Sequence, residues 1–485
     1  MLMTRGRRVT LLEMDDQVGG LARTVVYKGF RFDIGGHRFF TRVAALRDLW
    51  RTMLGPELLT RPRLSRIFYN GHYFSYPLRP INALRGLGVV NAARVAGSYA
   101  KSRLRPTPNE VSFEDWVCNR FGRRLFEIFF KTYTEKVWGM PCSEIGSQWA
   151  AQRIQSLSLW TAVTDMLFKR FRRPGAAPVK SLIEQFEYPR LGPGMMWEAF
   201  ETRLRDGGQE VVLGAGVQRL RHRNHRIEAV EYTHQGSTVV RSVDAVLSTM
   251  PLRQLIEGLS PAAPDAVRHA AARLRYRAFI TVALIIDRPD VFADNWIYVH
   301  DPGVKLGRIQ NFKNWSPDMV PDARQTCLGL EYFCEAGDAL YNLSDGELIA
   351  LGRRELVSLG LADDASILDG AVVRMPRAYP VYSTDYEDAV ATIRAYLATF
   401  TNLQVAGRNG MHKYNNQDHS MATALLASEN LLGGGTDPWC INADDAYHEE
   451  APAGVRSVVA DLDALARTQP LVPVPVPSSA APRAR

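Results

Sequence analysis

The sequence predicts a mixed α/β chain, α+β in its outer parts, in which a Rossmann-like unit is interrupted by an inserted helical domain and an antiparallel-sheet domain. Three observations predict it. A short apolar strand, Val9 to Leu12, ends in an acid, Glu13, and the pair Gly19-Gly20 follows; in nucleotide-binding units the second strand ends in an acid that reaches ribose hydroxyls, about 20 residues after a glycine loop. The stretch FEDWVCNRFGRRLFEIFFKTYTEKVW carries apolar residues at helical spacing. Between 277 and 335, YRAFITVALIID, WIYVH and TCLGLEYF are rich in β-branched and aromatic residues.

Taken in order, residues 211–252 alternate apolar and polar side chains as strand, hairpin and strand, and end at Ser248-Thr249-Met250-Pro251, a return to the first sheet. Residues 1–80, 206–262 and 400–435 are therefore assigned to one discontinuous unit, 81–205 to the helical domain and 263–399 to the antiparallel-sheet domain. A helix over 388–398 leads into the last part of the first unit, and the proline- and alanine-rich residues 468–485 carry no core pattern and read as a disordered tail. The few residues before Glu13 leave no room for a first strand and a GxGxxG turn, so that unit is expected upstream of Met1. A chain without it is also compatible with a non-catalytic scaffold that binds its cofactor poorly.

With 485 residues, 46% hydrophobic and 23% charged, the chain exceeds one compact core and has the composition of a soluble globular protein. The five cysteines form no CxxC pair, which argues against structural zinc or a disulfide framework; no metal is expected, and a reducing cytoplasm fits. No apolar run approaches the ~20 residues that span a bilayer. The net charge of +8 is scattered, without a nucleic-acid module, so no nucleic-acid partner is expected. Lys136, Arg153 and Arg308 stand apart because they lie beside aromatics in apolar segments, and buried cations usually have an anionic partner.

Near the C-terminus, GRNGMHKYNNQDHSMATALLASENL at 407–431 sets a glycine-arginine turn before an alanine-rich helix from Ala422 to Leu432. The unpaired N–H groups and positive end of a helix dipole suit an electron-rich ligand. Glu13, Gly19-Gly20, Arg23-Thr24, the STMP strand end and this turn, in that order, resemble the FAD enzymes that include amine oxidases, protoporphyrinogen oxidases and phytoene desaturases. The resemblance implies a Rossmann-like FAD-binding domain, with Glu13, Gly19, Gly20, Arg23, Thr24, Gly36, His37, Val217, Gly407, Arg408, Asp418 and Met421 at the cofactor.

A narrower resemblance follows from YTEKVWG at 133–139, QRI around Arg153, GRIQNFKNWSP at 307–317, LEYF, AYPVY and GRNGMHKY, which are similar to segments of UDP-galactopyranose mutases. It implies Tyr133 and Trp138 on a uracil, Arg153 and Arg308 with Tyr379 and Tyr414 on a diphosphate, Glu331 near the substrate, and His37 against the flavin ring. Arg153, Arg308, Tyr379, Tyr414 and His37 are the candidate catalytic residues; Tyr133, Trp138, Arg79 and Glu331 the candidate substrate contacts. Two guanidinium groups and two phenols suit a diphosphate and its development as a leaving group. The function so implied is a pyranose–furanose mutase of a nucleotide-diphosphate sugar, in cell-surface polysaccharide biosynthesis, working through attack of reduced-flavin N5 on the anomeric carbon. An external reductant such as NAD(P)H is compatible with it, as is a homodimer. Arg79 stands where that family has an asparagine, and YPRLGPGMMWEAF reads like the oxidase and desaturase branch, so an FAD-dependent oxidoreductase is the alternative.

Overall fold

A computed structural model describes residues 1–41, 43–76, 80–147, 184–383, 385–441 and 471. The expected strand before Glu13 is present as Thr10–Leu12 and pairs in parallel with Glu210–Val212; a second parallel pair joins Val246–Ser248 to Leu403–Val405. Between these pairs runs a meander of Gly216–Arg223, Arg226–His234 and Ser237–Ser242. Their apolar faces close on Leu252 and Leu255 and on two helices, Asp265–Arg273 and Tyr386–Leu397. The last helix, expected at 388–398 in the sheet domain, thus contributes Ala389, Ile393 and Leu397 to the core of the first unit. Its stripe at i, i+4 and i+8 is what a helix must bury.

The β-rich region forms a seven-stranded sheet in the order Ile367–Pro380, Tyr276–Ile286, Thr326–Cys334, Arg308–Asn311, Trp296–Val299, Ser65–Tyr69, His72–Ser75. It is antiparallel except where Trp296–Val299 runs parallel to Ser65–Tyr69, and its last two strands come from the segment 1–80. Tyr276–Ile286 reads as a continuous apolar run because both faces are covered. Ile280, Val282 and Leu284 meet the helix Asp345–Ser358, while Ala283 and Ile285 join a second layer with Phe32, Tyr188 and Trp315.

Within 81–205 the described residues form helices over Pro80–Leu104 and between 113 and 138, and two features there were not expected. The periodic stretch is broken at Gly122 and again by a π turn, Glu127–Lys131, giving Phe113–Phe121, Arg123–Phe126 and Thr132–Trp138 in place of one helix. The strand Gln185–Pro189 lies in the same region and pairs with Leu58–Pro62. Ser112 and Asp115 form a capping box that fixes the start of Phe113–Phe121. Arg79, Arg153 and most of 468–485 lie outside the described residues.

Candidate active site

The four parallel strands end at Leu12, Val212, Ser248 and Val405, with Glu13 and Ala406 directly following two of them, and the crevice beyond strand C-termini is where ligands of such sheets bind. Glu13 is held by its Oε1 accepting from the Asp15 amide at 2.9 Å, and burial raises its pKa, against which that amide works. Gly407 takes φ +82° in the turn after Val405, with nothing within 4 Å of where a Cβ would stand. The helix that follows is Gln417–Asn430, starting earlier than Ala422 because Asn416 and His419 cap it reciprocally. Arg408, in the turn, donates from Nε to Asn415 O at 2.9 Å and from Nη1 to Ala378 O at 3.0 Å.

The seven-stranded sheet supplies the opposite wall. Glu331 is fully buried at the centre of Thr326–Cys334, directly across from Arg308. It accepts from Arg308 Nε and, through Oε1, from Gln310 Nε2 at 2.7 Å. Arg308 Nη2 donates to the Tyr379 hydroxyl at 3.1 Å. Tyr379 stacks on Tyr414 at 5.7 Å and 15°, and the Arg408 guanidinium lies over both rings, 4.6 Å from Tyr414 and 5.5 Å from Tyr379. Burial disfavours the Arg308 charge, but Glu331 overrides it and the pKa stands well above its ordinary value. Tyr379 is pushed up to about 12 by burial, with Arg308 and Arg408 opposing the neighbouring Tyr414 and Glu331.

His37 follows Gly35-Gly36 and faces both cations. Burial, then Arg408 and, less, Arg308 bring its pKa down to about 3, against a hydrogen bond that the ring donates to the Gly35 backbone, so it is neutral at physiological pH. Arg308, Tyr379 and His37 keep part of their surface open, 19% for the Arg308 side chain, while lying deep in the fold. That combination suits a wall facing a bound group, and the space it faces is called the chamber below. Tyr133 stacks on His300 at 5.0 Å and 5°, and interacts with Arg308 and Tyr379; burial holds its phenol well above the ordinary range. Trp138 is buried one turn and a half further on, stacked on Tyr382 at 6.5 Å, and the Tyr382 hydroxyl accepts from the Tyr414 amide at 2.6 Å.

The structure therefore brings together Arg308, Glu331, Tyr379, Tyr414, Arg408, His37 and Tyr133, with Trp138 adjoining through Tyr382. Other expected cofactor residues are engaged within the protein. Thr24 is buried, its hydroxyl donating to Asp33 at 3.0 Å and accepting from the Gly194 amide at 3.0 Å. Arg23 pairs with Asp15. Gly20 is open, but a Cβ on Gly19 would meet Trp197 at 2.9 Å. Val217 pairs with Tyr232 in the meander, and Met421 accepts from Trp50 Nε1 at 3.1 Å within a hydrophobic core. Asp418, in the first turn of its helix, is raised to about 7 by burial, opposed by the His419 amide and Thr41.

Gln310 and His300 were not singled out from the sequence. A glutamine two places after Arg308 in a strand shares its face, and that spacing is the signal that could have found it.

A flavin fits this lining. Buried Ser248 Oγ, Asn409 Oδ1, Gln417 Oε1 and His37 Nδ1 have no hydrogen-bond partner in the protein, and they run from the strand ends to the His37 loop. Gly410 lies 3.0 Å, at its Cβ position, from Ser248 O, and Gln417 Nε2 reaches His37 O at 3.2 Å, which ties the two ends together. Buried polar atoms without partners are costly, and an elongated group rich in hydrogen-bonding atoms satisfies them. No described helix is long and apolar enough to cross a membrane, and no cluster of metal-ligating side chains occurs among the described residues.

Fold and lining are those of a flavoprotein, and the family match sets its class as a flavin oxidoreductase. The chain belongs to the family described as flavin containing amine oxidoreductase, whose model matches residues 1–417. It is 26% identical over 436 residues to coproporphyrinogen III oxidase of Mycobacterium tuberculosis, covering 82% of this chain and 86% of that protein. Among solved structures it is similar to a reduced UDP-galactopyranose mutase, with TM-score 0.78 and 20% identity over 92% of each chain. It is also similar to a putrescine oxidase bound to putrescine, with TM-score 0.56 and 14% identity over 89% of this chain and 95% of that one. At these identities the structural likenesses establish the fold.

Proposed function

We propose that this flavoenzyme binds an anionic substrate in the chamber between His37 and Arg308, and that the substrate is a nucleotide-diphosphate sugar whose ring form it interchanges. The observation that carries the reading is the buried cluster Arg308–Glu331–Tyr379 facing Arg408 and Tyr414. Two guanidinium groups and one carboxylate leave a net positive charge, in a setting of low dielectric where it counts for more than at a surface. Glu331 orients Arg308 by its Nε edge and leaves an Nη edge beside the Tyr379 hydroxyl, a geometry suited to phosphate oxygens. The described residues supply one net positive charge against roughly two negative charges on a diphosphate; Arg153 and Arg79 are the sequence's candidates for the remainder.

When bound and reduced, the flavin would supply the nucleophilic N5 at the anomeric carbon. The protein's part is to hold the diphosphate with donors already in place as negative charge develops on it, so that no reorganisation is needed. Tyr133 and Trp138 offer apolar faces for a nucleobase on the helix that borders the chamber.

A second reading, oxidation of a carboxylate-bearing substrate such as a porphyrinogen, is backed more directly by the family match and the curated relatives than the mutase reading is. An amine substrate is disfavoured by the lining itself: Arg408 already occupies the cation position over the two stacked tyrosines. Anaerobic incubation of dithionite-reduced enzyme with UDP- and dTDP-hexoses, with separation of pyranose and furanose forms, tests the mutase reading. Oxygen uptake with coproporphyrinogen, together with no thermal shift by UDP, would replace it with the oxidase.

A further inference from the structure

The helix Thr132–Trp138 touches the chamber through Tyr133, yet its most unusual residue is Lys136, one turn on. Its Nζ donates to three main-chain carbonyls, Val299 O at 3.3 Å, Asp301 O at 2.7 Å and Leu306 O at 2.9 Å. The three N–H bonds of an ammonium are thereby matched by three acceptors, none of them a side chain. All three carbonyls belong to the loop His300–Gly307 or the residue before it, and that loop joins Trp296–Val299 to the strand that begins with Arg308. On the loop's N–H side stands a group of opposite sign. Glu355, buried on the helix Asp345–Ser358, accepts from the Lys305 amide at 2.7 Å and the Leu306 amide at 3.0 Å, and its Oε2 also accepts from Tyr332 at 3.1 Å.

We infer that Lys136 is a positioning residue of the chamber, its ammonium gathering the carbonyls of the loop that delivers Arg308 while Glu355 gathers the loop's amides. This rests on the reading of Arg308 as an anion-binding residue. The loop's ends are set by His300 N to Phe68 O at 2.9 Å, Val299 N to Gly307 O at 2.8 Å and Gly307 N to Glu331 O at 3.0 Å, and Val304 and Leu306 pack into the sheet core. Between Asp301 and Leu306, however, its backbone is held mainly by Lys136, Glu355 and Asp301, whose side chain accepts from Gly303 N. A charged donor and a charged acceptor act on opposite polarities of the same backbone, so neither substitutes for the other. The same loop carries His300, on which Tyr133 stacks, so helix and loop are joined twice, and both joints lie within eight residues of Arg308. Burial lowers the Lys136 pKa to about 8, with Glu355 and Asp301 opposing, so the clamp is charged at neutral pH.

The test compares the flavin-loaded wild type with Lys136→Met, Lys136→Arg, Glu355→Gln and Arg308→Lys. It reads amide hydrogen exchange over 296–311 and the dissociation constant for inorganic pyrophosphate. Lys136→Met is expected to speed exchange of the Leu306, Gly307 and Arg308 amides and to weaken pyrophosphate about ten-fold or more, the scale of one charged hydrogen-bond set, at unchanged flavin content. Lys136→Arg restores part of the loss, which a generic packing role would not give. Wild-type exchange and affinity in a folded Lys136→Met protein would overturn the inference. If Lys136→Met does not fold, Glu355→Gln decides by the same exchange measurement, and unchanged protection of 305–308 counts against the clamp. If wild type and Arg308→Lys bind pyrophosphate equally or not at all, the anion-site reading fails, and the exchange comparison still decides Lys136.

Discussion

At the scale of single residues, the chamber is dominated by the unequal costs of removing one partner of a pair. Glu331 is fully buried and Arg308 is its counter-charge, so Arg308→Ala strands a carboxylate and should cost about 3–5 kcal/mol in denaturant unfolding. Arg308→Lys keeps the charge but loses the fork that reaches Glu331 and Tyr379 together; it should fold and bind anions poorly. Equal loss of stability in the two variants would show that the fork, not the charge, protects Glu331. His300 gives a pH test. Burial, reinforced by Lys136, lowers its pKa to about 3, whereas an unfolded chain binds the proton below about 6.5. The unfolded state therefore gains protons first as pH falls, and stability held above 6.5 is lost on acidification, about 2 kcal/mol by pH 5 from this residue alone. His300→Phe, which keeps a ring on Tyr133, should flatten that part of the stability–pH curve.

The residue level was also the hardest to read in advance. Arg308, Glu331, Tyr379, Arg408 and Tyr414 stand on three strands and a turn, and nothing local to any of them says that they meet; only their order, matched against known families, did. The sequence points to Lys136 as a buried cation with an anionic partner, but its bonds go to carbonyls, since a loop with unsatisfied acceptors serves an ammonium as well as a carboxylate does. Thr24 shows the converse. Its place beside Arg23 suggested a cofactor contact, while Asp33 and Gly194 already use its hydroxyl.

Among the elements, the helix Thr132–Trp138 carries the most consequence in the fewest residues. It ends at Gly139, whose φ of +66° and αL geometry let the amide cap Glu135 O. A Cβ there would also stand 2.2 Å from Arg277 Nη1, and Arg277 is the buried guanidinium that donates to Val137 O and Lys136 O at the helix end. Gly139→Ala should thus cost about 1–3 kcal/mol by differential scanning calorimetry, through strain and the displaced arginine. It should reduce anion affinity as well, because Tyr133 and Lys136 move with the helix. Strand and helix types were legible where periodicity was clear, as in 211–252 and 277–335. The π turn at 127–131 was not, because a single inserted residue leaves apolar spacing almost unchanged over two turns. The strand Gln185–Pro189 was hidden for another reason: it pairs with Leu58–Pro62, more than a hundred residues away, and strand propensity depends on such neighbours.

Across the whole molecule, distant segments are stitched by a few polar residues. Asn402 is buried beside the strand Leu403–Val405. It accepts from Ile227 N at 2.8 Å and donates to Ile227 O at 2.8 Å and Asp244 O at 2.7 Å, joining the meander to the second parallel pair. Asn402→Ala leaves those main-chain groups without partners and should cost about 1–3 kcal/mol; chemical denaturation with the flavin spectrum as a second probe would show whether cofactor release precedes unfolding. Trp50 Nε1 meeting Met421 Sδ spans 371 positions, and the core around Leu220 and Ile393 draws on residues from Ala215 to Met411. So high a contact order delays the native pairing until the helix Gln417–Asn430 has left the ribosome, and long-range closure is slow. Newly made chains should depend on chaperones in proportion, and fragments ending before Gln417 should accumulate as insoluble material in place of folded flavoprotein.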